Sequence, residues 1–319
     1  MNRRHALSGT IMGTLLAGFG RGATSQIANR FVVQSGDLLQ DLIVVDATVY
    51  ALTRRPPKNE YLVCAHSMGE SSRLLWQQNL PPALYVGLGL HTDGSPLVHS
   101  IGYRRTPTPS HHLLKVDISS GQIDLLSDLT PGSPFHHGGI GKLVRVNEDG
   151  GIEELDSMNS RLIPKTIATI EKPINHVCIE PLDSTSVAIV DQRTGRISRV
   201  DFGLGAVVEI PFSSPHLANS LAYYDKIEQQ HATAQPRLQP QVIAAIGPNP
   251  TGGLCLLMSP YKSDGSANVL SISASGANLA VLQIVLADRR SVGIPLKLAW
   301  IRNQLAVLFS GGTYILYAV

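Results

Sequence analysis

Short apolar runs alternate with turn residues along the chain from residue 41 onward. The first four runs occupy residues 41–45, 48–53, 60–65 and 72–77. Each run is rich in β-branched and aromatic residues and ends at polar or turn-forming residues, which is typical of short β-strands. The pattern therefore predicts an all-β domain of short antiparallel strands.

Glycine-containing turns join the later strands in pairs, at Gly121, Gly151, Gly195 and Gly276. Glycine suits these positions because it adopts the positive φ that tight hairpins require. A β-propeller is a ring of such four-stranded sheets, with one blade for about every 40 to 50 residues. A mature chain of about 280 residues, at about 40 to 45 residues per blade, predicts seven blades, with six or eight as alternatives.

The chain ends on an apolar run at residues 314–319. Left unpaired, this strand would present an exposed edge on which other chains could pair. We expect it to close the ring by pairing with a strand near the N-terminus, formed by residues 31–33 or by residues 42–45.

Several of these strands and turns resemble a known family of repeats. Residues 49–52 read Val-Tyr-Ala-Leu and residues 73–77 read Arg-Leu-Leu-Trp-Gln. The turns at residues 117–123 and 191–197 have the form Asp-x-x-[Ser/Thr]-Gly-x-Ile. These segments are similar to repeats of the quinoprotein-like and YVTN-like propellers. The resemblance implies the propeller fold but not quinone-dependent activity, because most predicted blades lack the signature tryptophan and no quinone-binding set is recognisable.

The first 26 residues have the layout of an export signal. Arg3 and Arg4 precede an uncharged stretch, residues 6–20, which is too short to span a bilayer. A basic start, a short apolar middle and a small-residue end are typical of a signal peptide. Residues 2–8 resemble the twin-arginine signal of bacteria. We therefore expect a signal peptide at residues 1–26, a propeller at residues 27–319, no membrane span in the mature chain, and a periplasmic or secreted location.

Composition narrows the classes of partner. Charged residues make up only 16% of the chain and the formal net charge is +2, so no strong field attracts nucleic acid. The odd number of cysteines excludes a fully paired disulfide framework, and each lies in an apolar run, which predicts buried free thiols at Cys64, Cys178 and Cys255.

Ser67 is a candidate nucleophile. It lies in the run Cys-Ala-His-Ser-Met-Gly at residues 64–69, which resembles the nucleophile elbow of α/β-hydrolases, with Ala65 in place of the first glycine. That elbow joins a strand to a helix within alternating strands and helices, a context that the pattern around Ser67 lacks. The competing interpretation is the tip of a hairpin.

Histidines concentrate in the middle of the chain, between His91 and His137. Propeller loops meet at the ends of a central channel, where imidazoles from distant blades can converge on a divalent metal. His111, His136 and His137 are the candidate ligands. Adjacent histidines in a strand point to opposite faces, so a pair such as His136–His137 offers one ligand unless it lies in a turn. No other cofactor is indicated.

The sequence favours a binding or interaction module whose partner is a protein or a small molecule, acting as a monomer. One alternative is a propeller enzyme, a metal-assisted lactonase or hydrolase with a loop-built site at the channel mouth. A second alternative is an α/β-hydrolase that uses Ser67. Propeller active sites are assembled from distant loops and leave little local signature, so the pattern leaves these alternatives open.

Overall fold

A computed structural model describes most of the chain beyond the N-terminal segment. The described residues are 25–31, 36–69, 72–103, 110–157, 165–171, 177–230, 241–259, 265–286 and 292–318. Residues 1–24, which carry the twin-arginine-like motif, lie outside them. None of the described helices is both long and apolar enough to cross a bilayer.

Twenty-four strands and one helix of 16 residues are described, in this order. They are β1 (Ser25–Arg30), β2 (Leu38–Val45), β3 (Thr48–Arg55), β4 (Glu60–Ser67), β5 (Arg73–Asn79), β6 (Leu84–Leu90), β7 (Pro96–Ile101), β8 (His111–Val116), β9 (Ile123–Leu129), β10 (His136–Gly139), β11 (Lys142–Val146), β12 (Gly151–Asp156), β13 (Lys165–Thr169), β14 (Val177–Pro181), β15 (Ser186–Asp191), β16 (Ile197–Asp201), β17 (Ala206–Ile210), α1 (Pro215–Gln230), β18 (Ile243–Pro248), β19 (Leu254–Met258), β20 (Ser266–Ile272), β21 (Asn278–Val285), β22 (Pro295–Ile301), β23 (Gln304–Phe309) and β24 (Thr313–Ala318).

The strands form four separate four-stranded sheets and one sheet of eight. The separate sheets are β2–β5, β6–β9, β10–β13 and β14–β17, each an antiparallel meander. The eight-stranded sheet has the order β1-β24-β23-β22-β18-β19-β20-β21. Its two halves are antiparallel groups of four, joined by a parallel pairing of β18 with β22 at Ile246 and Lys297.

The predicted all-β propeller architecture is confirmed, but the predicted number of seven blades is wrong. Four sheets are separate blades, and two further groups of four strands share one sheet. The prediction divided the chain by a uniform repeat length, whereas the connections between sheets differ in length. The connection from β17 to β18, for example, contains the 16-residue helix α1.

The ring is closed by a strand from the start of the chain, as expected, and that strand is β1 rather than residues 42–45. β24 pairs antiparallel with β1, with Ala28 opposite Ile315 and Asn29 opposite Tyr314. Residues 42–45 lie instead in β2 and pair with β3. Of the other expected segment, residues 32–33 are outside the described residues, and Phe31 stacks on Tyr314 with ring centroids 6.5 Å apart. The expected boundary after residue 26 falls within β1.

The core lies in layers between neighbouring sheets. In one layer Ile43 and Leu52 of the first sheet pack with Leu88 of the second, and the rings of Tyr61 and Tyr85 lie 5.3 Å apart. Cys64 and Cys255 are buried free thiols, as predicted, whereas Cys178 is only partly buried. Burial raises the pKa of the Cys64 thiol to about 12.

The first strand of each group forms the inner wall of the ring. β2, β6, β10, β14, β18 and β22 contact one another in that order. Their approach is close, because a Cβ on Gly87 of β6 would lie 2.2 Å from the carbonyl oxygen of Phe135, which precedes β10. Glycine is therefore required at this contact. Because the inner strands contact one another in sequence, they surround a narrow central channel.

Candidate functional site

A cavity of about 200 Å³ opens among the inner strands. Its polar lining residues come from β2, β10, β14 and β22, and are Gln40, Asp41, His136, His137, Cys178 and Lys297. Most of them lie near the start of their strand, so they gather at the end of the ring where the inner strands begin. We call this cavity and its lining residues the channel mouth.

Asp41 is held in one orientation by backbone amides. The Leu42 N–H donates to Asp41 Oδ1 and the Leu88 N–H donates to Asp41 Oδ2, both at 2.8 Å. Burial raises the pKa of the Asp41 carboxyl, and the nearby His136, whose Nδ1 lies 3.9 Å from Oδ2, opposes that rise. The carboxylate is thus fixed between two sheets, beside an imidazole.

Lys297 and Glu180 form an ion pair beside the cavity. Lys297 Nζ lies 2.5 Å from Glu180 Oε2, and the Glu180 side chain is 6% exposed. Burial raises the pKa of the Glu180 carboxyl, and the Lys297 ammonium opposes that rise. A buried carboxylate needs such a partner because its desolvation is costly.

His137 presents a neutral imidazole to the channel mouth. Burial, helped by the Lys297 charge, lowers the pKa of His137 to about 3. Its Nδ1 is buried and has no hydrogen-bond partner among the described residues. Buried polar atoms in folded proteins nearly always have a partner, so an unpartnered nitrogen in a cavity-lining residue points to a group that is bound there.

The structure brings together two of the three predicted metal ligands. His136 and His137 both line the channel mouth. His111 lies on β8, where its Nδ1 is 3.0 Å from His99 Nε2. Within the part of the chain that the structure describes, no three His, Cys, Asp or Glu side chains form a group that could hold a metal ion.

Ser67 ends β4 in a hairpin. It lies opposite Arg73 of β5, and its Oγ donates to the Arg73 carbonyl oxygen at 3.4 Å. The neighbouring His66 Nδ1 lies 3.4 Å from Ser72 Oγ and so does not activate Ser67. The α/β-hydrolase alternative is wrong, because the strands around Ser67 form an antiparallel sheet of a propeller.

Asp41, Glu180 and Lys297 were not singled out from the sequence. A signal was nevertheless present, since Lys297 and Glu180 are charged residues within otherwise apolar strand runs. A charge in a strand that is buried on both faces indicates a partner or a function. A charged residue in an apolar run does not show which strands face each other across the ring.

No family model and no curated protein matches the chain. Among solved structures, it is similar to the virginiamycin B lyase from Staphylococcus aureus, at 11% identity and a TM-score of 0.52, over 93% of this chain and 99% of the other. It also matches the WD40 β-propeller domain of Doa1 at 11% identity and a TM-score of 0.48, over 93% and 97% of the two chains. YCF48 bound to D1 peptide matches at 11% identity and a TM-score of 0.48, over 92% and 95%.

Structural similarity at sequence identities this low indicates a shared fold and does not indicate a shared activity. The lyase likeness extends over nearly the whole of both chains and agrees with the ring of antiparallel sheets. The resemblance of the repeats to propeller sequences is confirmed at the level of the fold. This chain is a β-propeller.

Proposed function

We propose that the protein is a binding module that takes a small polar molecule at the channel mouth. The observation that carries this proposal is the buried, unpartnered Nδ1 of His137, a residue that lines a cavity of about 200 Å³. Pockets for drug-sized ligands have about 300 to 1,000 Å³, so the occupant is smaller than these.

The electrostatics of the channel mouth suit a neutral or zwitterionic ligand. Lys297 is paired with Glu180, which leaves little free positive charge at the cavity. Asp41 is oriented by two backbone amides and keeps further lone pairs for a donor. A ligand with a hydroxyl or ammonium donor would therefore satisfy Asp41 and His137 together.

Thermal-shift titration tests the proposal. Purified protein is melted with four panels of compounds: amino acids, sugars, small amines and small carboxylates. We expect an amino acid or a sugar to raise the Tm in a concentration-dependent way, because ligands that bind only the folded state stabilise it. H137A should abolish the shift, and H111A is the matched control that should retain it. An absence of any shift, or an equal shift in H137A, would contradict the proposal.

Export is part of the proposed function. The basic start and the uncharged stretch of residues 6–20 support it. A reporter fused after residue 30 should leave the bacterial cytoplasm, and R3K/R4K should retain it there. Export of the doubly substituted fusion at an unchanged level would show that the arginine pair is not the signal.

A further inference from the structure

A second polar group lies on the β6–β9 sheet, in a chain of three side chains. Ser110 Oγ lies 2.6 Å from His112 Nε2, and His112 Nδ1 lies 2.8 Å from Asp128 Oδ1. His112 of β8 is directly opposite Asp128 of β9. Ser110 immediately precedes β8, and its contact with His112 places its hydroxyl beside that imidazole.

The imidazole of His112 is held in place. Its residue is 2% exposed, and the Tyr103 ring packs edge-on against it with centroids 6.0 Å apart. Asp128 accepts only from a protonated Nδ1, so the neutral ring carries its proton there and its Nε2 accepts from the Ser110 hydroxyl. The Gly102 N–H donates to the Ser110 carbonyl oxygen at 2.8 Å and fixes the backbone beside the nucleophile.

We propose that Ser110 is the nucleophile of an ester-hydrolysing site, with His112 as its general base and Asp128 as the positioning residue. The order of contacts, from serine oxygen to Nε2 and from Nδ1 to carboxylate, is the one that activates a serine in acyl transfer. This activity goes beyond ligand binding at the channel mouth and uses none of the residues there.

The reaction is a two-step acyl transfer. Ser110 Oγ forms a bond to the carbonyl carbon of the ester while its proton passes to His112 Nε2. The C–O bond to the leaving alcohol then breaks, and that alcohol takes the proton from His112. A water molecule next loses a proton to His112 and attacks the acyl-Ser110 ester, which releases the carboxylic acid and returns the proton to Ser110.

Because the Asp128 side chain is largely exposed, we expect the site to hydrolyse esters rather than amides. Its side chain is 71% exposed, so solvent screens its support of the imidazolium that forms during the reaction. With only weak stabilisation of the imidazolium, the reaction requires a substrate with a good leaving group, and the alcohol of an ester is a better leaving group than the amine of an amide. Ser110 itself is only partly buried, as attack on a small ester requires.

Labelling with a fluorophosphonate probe tests the proposal directly. The wild-type protein should label to one equivalent at Ser110, as located by peptide mass mapping, and should hydrolyse p-nitrophenyl acetate. S110A should abolish both. H112A should lower the labelling rate about 100-fold or more, since general-base catalysis contributes factors of about 10² to 10⁴.

Two control variants keep the test specific. S67A removes the other candidate serine, and H111A removes the adjacent histidine, whose partner is His99. Both should label at the wild-type rate. If H112A fails to fold, S110A alone decides the outcome, because it deletes one oxygen atom. A wild-type protein that does not label, or S110A that labels equally, would overturn the proposal.

Discussion

Two polar groups in this propeller are assembled in opposite ways. The channel mouth draws Asp41, His136 and Lys297 from three different sheets, which meet only where the ring closes around its axis. Ser110, His112 and Asp128 belong to one hairpin and its leading residue. Both groups lie at the same end of the ring, where the inner strands begin. In the β6–β9 sheet the start of the inner strand β6 pairs with the end of β7, and the end of β7 pairs with the start of β8, which carries His112.

The difference extends to their solvation. Glu180, beside the channel mouth, has a side chain that is 6% exposed, whereas the Asp128 side chain is 71% exposed. Charges between sheets are therefore desolvated and depend on one another, and the charge on the hairpin is largely solvated. We expect substitutions between sheets to affect the stability of the whole domain, and substitutions on the hairpin to affect its chemistry.

Removal of β1 should have the largest effect, because it opens the ring itself. A chain that begins at residue 31 loses all pairing of β24 with β1 and exposes the edge beside Tyr314. We expect the free energy of unfolding to fall by about 5 kcal/mol, comparable with the whole stability of a marginal domain. Urea unfolding measures it, and a chain that begins at residue 25 is the control. Equal stability of the two chains would contradict closure by β1.

K297M should have the next largest effect, because it leaves the Glu180 carboxylate buried without its partner. Breaking a buried ion pair from one side costs about 3 to 5 kcal/mol. The double variant K297M/E180M should recover most of that loss in urea unfolding. K115M is the matched control, since its partner Asp93 is 48% exposed and solvated pairs contribute about 0.2 to 1 kcal/mol. Similar losses in K297M and K115M would refute the distinction.

Acid should weaken the domain through His137. Burial and Lys297 lower the pKa of His137 to about 3 from its ordinary value of 6.5, so between these pH values the unfolded chain binds a proton that the folded chain does not. Stability that is present above pH 6.5 is therefore lost as pH falls, by about 1.4 kcal/mol per pH unit for this group. Urea unfolding at pH 7, 6, 5 and 4 should show a shallower decline in H137N. If the free energy of unfolding falls equally steeply with pH in the wild type and in H137N, the lowered pKa of His137 is contradicted.

D128N should have the smallest effect on stability. The carboxylate is mostly solvated, so we expect a change below about 1 kcal/mol in urea unfolding. The same variant should slow fluorophosphonate labelling of Ser110, though less than H112A does, and D128E should restore part of the rate. A large loss of stability without any change in labelling would make Asp128 a structural residue only.

Local features were predictable because they depend on neighbours in the sequence. The turn at residues 117–123 joins β8 to β9, and Gly121 there has a φ of 71°, as the hairpin pattern required. Asp117 caps this turn by accepting from the Ser119 and Ser120 amides. The same pattern located β8 and β9, but it did not reveal that the register places Asp128 opposite His112.

The alternation of apolar and turn residues by itself determined the all-β class, the hairpins and the buried thiols Cys64 and Cys255, because strand formation and turn chemistry act over a few residues. Only the tertiary structure decided how the strands divide among sheets, that β1 rather than residues 42–45 pairs with β24, and that Asp41, His137 and Lys297 share one cavity. These outcomes depend on contacts between segments far apart in the chain, which are set by packing and ring geometry rather than by any local pattern.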